Sequence, residues 1–313
     1  MKRIPAFVIS GMLDAGKTSF ILDTVENDRF FERGTTLLLV QEQGEIEYDE
    51  EFLKKFRCSV LYVEEESDWD LPQLNKRIEA IHPDRVVVET NGMWNHAEME
   101  YPSILSVKEQ ILLIDWTTFP MYFQNMRQKM VDLISGKDVV VFNRLEDNSL
   151  LAPYQTNIKM VNSTAQYVMI GKDGYAMEAF QAPLPYDYEA DTIEVKQDDF
   201  ATFYIDTFDH PDRYKGKEVI LTAWAIRPPQ DQGPNFIIGR KVMTCCSNDI
   251  QLFGYYVKNS GKTIINDHYY RIKGTISFEF SEEFKEEELV IYLQEAEEVP
   301  AFDEPILNLN PVA

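Results

Sequence analysis

Short apolar runs punctuate the first half of the chain. Residues 6–9, 35–40, 58–63, 85–88, 110–114, 138–142 and 167–170 are dense in Val, Ile and Leu and read as buried strands. Between them the apolar spacing lengthens to a helical period over 19–26, 49–56, 71–81 and 121–133. Strands that alternate with helices predict an α/β fold with a mainly parallel sheet flanked by crossover helices. From residue 181 the texture changes. Residues 181–191 are rich in proline and acidic side chains and read as linker. Beyond them the pattern is strand-like, over 218–225, 235–238, 253–257, 269–280 and 289–295. Lys215-Gly216-Lys217 and Asn259-Ser260-Gly261 supply turn signals. Several short strands in so small a region predict a closed, OB-like β-barrel. The expected organisation is therefore a first domain at 1–180, a linker at 181–195 and a β-rich domain at 196–313.

Polar residues collect where the first-half strands end. Ser10, Gln41, Glu89, Asp115 and Asn143 each stand at or just past a strand's carboxyl end. Parallel sheets bind ligands along that edge, so the coincidence predicts one site.

The chemistry of that site is most legible at residues 11–19. Gly11, four intervening residues, Gly16, Lys17 and Thr18 complete the G-x-x-x-x-G-K-[ST] phosphate-binding pattern between a strand and a helix. The two glycines allow a tight loop whose N–H groups point at an anion, and the following helix adds its positive dipole end. Gly11, Asp14, Ala15, Gly16, Lys17, Thr18 and Ser19 are the candidate cradle. Lys17 is expected to reach the β- and γ-phosphates, and the Thr18 hydroxyl to meet Mg2+. Glu89 ends an apolar strand, where a carboxylate serves the magnesium shell or a water, or simply faces solvent. Asp14 puts a carboxylate inside the loop, with either phosphate repulsion or metal contact as its outcome.

Charge and cysteine content narrow the class. The net charge of −23 argues against nucleic acid or an anionic membrane as a main partner. It suits a solvated surface, a basic protein partner or attraction of cations. Cys58, Cys245 and Cys246 give an odd count with an adjacent pair, which is no disulfide framework. The N-terminus leads directly into the first strand, and no apolar run of about 18 residues occurs. The expectation is a cytoplasmic protein, without signal peptide or membrane span.

Residues 138–146 bear on the base. Asp138-Val139-Val140-Val141-Phe142-Asn143-Arg144-Leu145-Glu146 is similar to the Asn-Lys-x-Asp element with which GTPases read guanine. Asn143 would meet the base edge, Arg144 would stack in place of Lys, and Glu146 would accept from the guanine N–H donors. The two departures, Arg144 and Glu146, leave ATP open as the alternative to GTP.

Taken together, these motifs resemble the CobW-type branch of P-loop GTPases, related to the metallochaperones UreG and HypB. Gly11-Met12-Leu13-Asp14-Ala15-Gly16-Lys17-Thr18-Ser19 is similar to that branch's Gly-Phe-Leu-Gly-Ala-Gly-Lys-Thr-Thr. Gln41-Glu42-Gln43-Gly44-Glu45-Ile46-Glu47-Tyr48-Asp49 is similar to its Asn-Glu-Phe-Gly-Glu-x-Gly-x-Asp, and Glu89-Thr90-Asn91-Gly92 to its Glu-Thr-Thr-Gly. The resemblance spans residues 5–170. It implies Mg2+-dependent GTP hydrolysis linked to delivery of a metal ion, usually zinc or cobalt. It also implies that the 41–49 loop senses the γ-phosphate, with Glu42 joining Thr18 and Glu89 at Mg2+ and Glu45 among the catalytic residues with Lys17, Thr18 and Glu89. The family's Cys-x-Cys-Cys is missing. Its region holds Cys58 alone, followed by Glu64, Glu65 and Glu66. One thiol cannot supply the three or four N/S donors that zinc takes. The glutamates offer oxygen ligands or, as charge runs usually do, a solvated face.

Residues 200–300 resemble the C-terminal domain of YcgQ-type proteins, partners of a membrane permease. The likeness rests on residues 214–224, on Arg240-Lys241-Val242-Met243-Thr244-Cys245-Cys246-Ser247-Asn248-Asp249 and on residues 272–276. It implies association with a permease system. Cys245 and Cys246 read either as buried packing or as part of a transition-metal or redox site. The functional expectation is a GTP-binding and hydrolysing switch in metal homeostasis, with a metal cargo and a permease or metalloprotein partner. The alternative is a nucleotide-gated adaptor with little turnover.

Overall fold

The computed structural model describes residues 3–96, 98–178, 183–228, 233–243, 250–281 and 285–308. The chain divides into two compact units: residues 1–150 with 164–180, and residues 151–163 with 181–313.

The first unit is built on an eight-stranded sheet. Its strands are β1 (Ile4–Ser10), β2 (Thr36–Val40), β3 (Cys58–Tyr62), β4 (Arg85–Glu89), β5 (Leu105–Asp115), β6 (Val139–Leu145), β7 (Gln166–Gly171) and β8 (Ala176–Met177). Their order is β3-β2-β4-β1-β5-β6-β7-β8. All neighbours are parallel except β7 and β8. The apolar runs are strands because both sheet faces are covered: β2 and β4 are buried at every position.

The helices are α1 (Lys17–Asn27), α2 (Glu50–Lys55), α3 (Leu71–Ile81), α4 (Phe119–Asn125) and α5 (Arg127–Ile134). In α1, Lys17, Ile21 and Val25 recur on one buried stripe. Asp70 caps α3 by accepting from the Gln73 N–H at 3.1 Å, and Leu74 and Ile78 are its buried face. One helix was expected over 121–133. Two short ones are found, because Met126 leaves the helical region at φ −130° and ψ 44°.

The second unit contains α6 (Ala152–Val161), α7 (Phe200–Asp209), β9 (Thr192–Val195), β10 (Glu218–Ile226), β11 (Phe236–Met243), β12 (Ile250–Lys258), β13 (His268–Ser281), β14 (Glu286–Val299) and β15 (Ile306–Asn308). Five strands close in the order β10-β11-β12-β14-β13 and back to β10. β12 and β14 run parallel, and the other four pairings are antiparallel. This is the expected OB-like barrel. The β10–β11 seam is paired only over Trp224–Ile226, and β9 and β15 add to its two flanks. Val219, Leu221, Ala223 and Ala225 of β10 alternate inward, and Phe200 and Phe203 of α7 pack on the same core.

Two placements differ from the expected organisation. The proposed linker 181–195 ends in a strand, since β9 pairs with β10. Helix α6 precedes residue 180 yet groups with the second unit.

Candidate functional site

The sheet order explains why one edge can be a site. β2, β4, β1, β5 and β6 are consecutive neighbours, so Gln41, Glu89, Ser10, Asp115 and Asn143 stand side by side at their carboxyl ends. Register confirms it: Val40 pairs with Glu89, Ile9 with Glu89, and Asp115 with Asn143. Gln41 is fully buried and structural. Its Oε1 accepts from the Asn91 N–H at 3.1 Å.

The loop after β1 folds tightly. Asp14 (φ 59°) and Gly16 (φ 92°) adopt left-handed backbone, and Gly16 opens α1. A Cβ on Gly11 would lie 2.6 Å from the Leu113 carbonyl oxygen, so only glycine fits. Gly92 has a similar constraint. A Cβ there would lie 2.4 Å from the Gly11 carbonyl oxygen and 2.8 Å from Met12 Cα. The Glu89–Gly92 segment therefore lies directly against the phosphate loop.

Lys17 is buried, and its ammonium donates to the carbonyls of Gly11 (3.0 Å) and Met12 (2.9 Å) and pairs with Glu42. Thr18 Oγ1 donates to Glu89 Oε1 at 2.7 Å, and Tyr48 donates its hydroxyl to Glu89 Oε2 at 2.6 Å. Glu89 is only 2% exposed. Burial raises its pKa, opposed by the Tyr48 and Thr18 hydrogen bonds and the Lys17 charge. Burial, then the Glu89 charge, push the Tyr48 phenol far above its usual range. It stays protonated as a donor.

These groups surround a cleft of about 270 Å3 lined by Leu13, Asp14, Gly16, Lys17, Thr18, Ser19, Glu42, Gly44, Glu45, Ile46, Glu89 and Arg144. The residues fit a magnesium-bound phosphate chain. They offer a glycine-shaped cradle, a buried lysine that now borrows carbonyls and a carboxylate as partners, and a hydroxyl and carboxylate as hard oxygen donors.

Asn143 and Arg144 reach the cradle from β6. Asn143 Nδ2 donates to the Ala15 carbonyl at 2.8 Å, and its buried Oδ1 has no partner among the described residues. Arg144, left-handed at φ 58°, donates to the Asp14 carbonyl at 3.0 Å and pairs with Asp115. Glu146 does not line the phosphate cleft. It is exposed and paired with Lys172, which lowers its pKa. It borders a second cleft of about 460 Å3 with Leu145, Gly171, Lys172, Asp173, Tyr175, Ala176 and Met177. Ala15 is buried beneath the loop, and Glu45 is exposed at the cleft mouth.

The metal candidates divide. Cys245 and Cys246 lie outside the described residues. Among the described residues no group of three or more His, Cys, Asp or Glu side chains is placed to hold a metal ion. Burial pushes the Cys58 thiol up to about 11, so it is not a thiolate at neutral pH. Glu64, Glu65 and Glu66 are all exposed, and Glu64 pairs with Gln43. Among the described residues, no helix is long and apolar enough to cross a membrane.

The family profile of the CobW/HypB/UreG nucleotide-binding domain matches residues 5–169. The chain belongs to this family. The CobW/HypB/UreG kinship covers the whole of the cleft just described. A second profile, the DUF1980 C-terminal domain, matches residues 169–307. Among solved structures, HypB from Archaeoglobus fulgidus is similar at 14% identity and a TM-score of 0.39, covering 54% of this chain and 82% of that one. A zinc-bound triple mutant of the YjiA GTPase is similar at 14% identity and 0.42, covering 76% and 86%. Nickel-bound HypB from Helicobacter pylori is similar at 12% identity and 0.36, covering 55% and 80%. These likenesses are low in both measures, and membership rests on the sequence profile. No curated protein matches the chain.

Sequence reasoning missed Tyr48, the Asp115–Arg144 pair and the steric role of Gly92. Tyr48 occupies a position the family motif leaves free, so only its burial and its bond to Glu89 reveal it.

Proposed function

We propose that this protein is a Mg2+-dependent GTP-binding and GTP-hydrolysing switch whose output is the handling of a metal ion. The observation that carries the reading is the convergence of Lys17, Thr18 and Glu89 on one glycine-shaped cleft. Lys17 is the phosphate cation, released from Glu42 when an anion arrives. Thr18 and Glu89 would hold the metal, which would neutralise charge on the phosphates. Glu45 stands at the mouth, where a water-orienting carboxylate belongs. Asn143 and Arg144 hold the cradle from the base side. Glu146 is the carboxylate for the guanine N–H donors once it leaves Lys172, which favours GTP over ATP.

The link to a metal cargo rests on family kinship. Among the described residues Cys58 belongs to no group of three metal-binding side chains, which leaves Cys245 and Cys246 as the thiols to test.

Competition between GTP and ATP, followed by single-turnover hydrolysis, tests the nucleotide reading. GTP displaces a bound fluorescent analogue at lower concentration than ATP, and Lys17→Ala weakens binding at least 100-fold. Binding without any single-turnover hydrolysis would turn the reading toward a nucleotide-gated adaptor. Metal analysis of the wild type and of Cys245→Ser/Cys246→Ser tests the cargo. Zinc bound by the wild type and lost in the double variant supports it, and no metal in either removes it.

A further inference from the structure

Glu89 is held from two sides. Thr18 bonds Oε1, facing the phosphate loop, and Tyr48 bonds Oε2. Tyr48 is firmly placed to do this. Its ring is buried in the core cluster that contains Ile9, Ile21, Val25 and Val40. The next residue, Asp49, caps α2 by accepting from the Phe52 N–H at 2.8 Å, which fixes the backbone beside it. At its other end, the same loop carries Glu42, the partner of Lys17.

We propose that Tyr48 is a positioning residue, holding Glu89 Oε2 so that Oε1 stays on the Thr18 side, where the metal of a bound nucleotide sits. The inference rests on the reading of this cleft as a magnesium–nucleotide site. The terminal torsion of a glutamate has no sharp preference of its own. A buried carboxylate needs donors to stay ionised and oriented. Thr18 would give up its bond to Oε1 if its oxygen turned to a cation. Tyr48 is then the donor that remains. Its ring is anchored independently of the nucleotide, so the orientation survives the exchange. Tyr48 stands at a position that the family pattern leaves unspecified.

The test is equilibrium binding of a fluorescent GTP analogue at graded Mg2+ and in EDTA. It compares the wild type, Tyr48→Phe, Glu89→Gln and the double variant. Tyr48→Phe keeps the buried ring, and thermal unfolding checks that it is folded. The expected result is a roughly tenfold rise in the Mg2+ needed for half-saturation, with affinity in EDTA within twofold of wild type. In the Glu89→Gln background the Tyr48 substitution adds nothing. Tyr48→Leu, which also removes the ring, lowers affinity in both conditions. A Mg2+ requirement within twofold of wild type in Tyr48→Phe overturns the inference. So does an equal loss in Mg2+ and EDTA, which marks a packing role. Wild-type protein that binds no nucleotide overturns the reading of the cleft and this inference with it.

Discussion

Gly92 shows how one missing side chain shapes the site. Any Cβ there would strike the Gly11 carbonyl and Met12 Cα, and these atoms are backbone, which cannot rotate away. Gly92→Ala should push the phosphate loop off its register, cost about 2–3 kcal/mol of stability and lower nucleotide affinity. Chemical denaturation and nucleotide titration check the two effects. His96 is a second residue with a local consequence. Its Nε2 donates to the Asn91 carbonyl at 2.9 Å, and its buried Nδ1 has no partner among the described residues. Burial, with Lys137, Lys129 and Lys17 nearby, lowers its pKa from 6.5 to about 4. The unfolded chain therefore takes up this proton first as pH falls. The stability contributed by neutral His96 is present above 6.5 and lost between 6.5 and 4, on the order of 3 kcal/mol in all. Urea unfolding across that range should show the loss, and His96→Gln should flatten it.

At the scale of elements, α2 depends on its first residue. It spans Glu50–Lys55, has no buried side chain and follows the loop that bears Glu42 and Tyr48. Phe52 and Leu53 are half-buried against the core, and a helix this short also depends on its cap. Asp49→Ala should cost about 1 kcal/mol and speed amide exchange over 50–55 before the rest of the sheet is affected. Native-state hydrogen exchange reads this directly. The central strands of this unit were legible because parallel strands buried on both faces are apolar without interruption. The phosphate loop was legible because its glycines and Lys17 answer to a fixed geometry. Two helices were not. In α6 only Ile158 and Met160 are buried apolar residues, too few to make a stripe. In α7 the aromatic residues Phe200, Phe203, Tyr204 and Phe208 favour strands by propensity, and tertiary packing on the barrel overrides it. The role of Tyr48 depends on a hydrogen bond between residues 41 positions apart, which no local pattern encodes.

At the scale of the molecule, the second unit is discontinuous in sequence. Residues 151–163 belong to it, although residues 164–180 return to the first unit. Met160 packs with Ile205 and Val242, and α6 lies beside α7. A fragment ending at 180 retains α6 without these partners. It should be less soluble than the full chain and bind an exposed-hydrophobe dye. Substituting Ile158 and Met160 with polar residues in that fragment should restore solubility, which light scattering would follow.

The same interleaving sets a timetable during synthesis. When residue 180 has been added, every strand of the first sheet has been made. Helix α6 must still wait for Ile205 of α7, 45 residues after Met160, and for Val242, 82 residues after it. At roughly 5–20 residues per second, these are delays of about 2–9 s and about 4–16 s. Until α7 is made, Met160 of the nascent helix has neither of the buried side chains it packs against in the folded unit. Slowing translation between residues 164 and 242 lengthens this exposure, and a chaperone that shields short apolar segments has its greatest effect there.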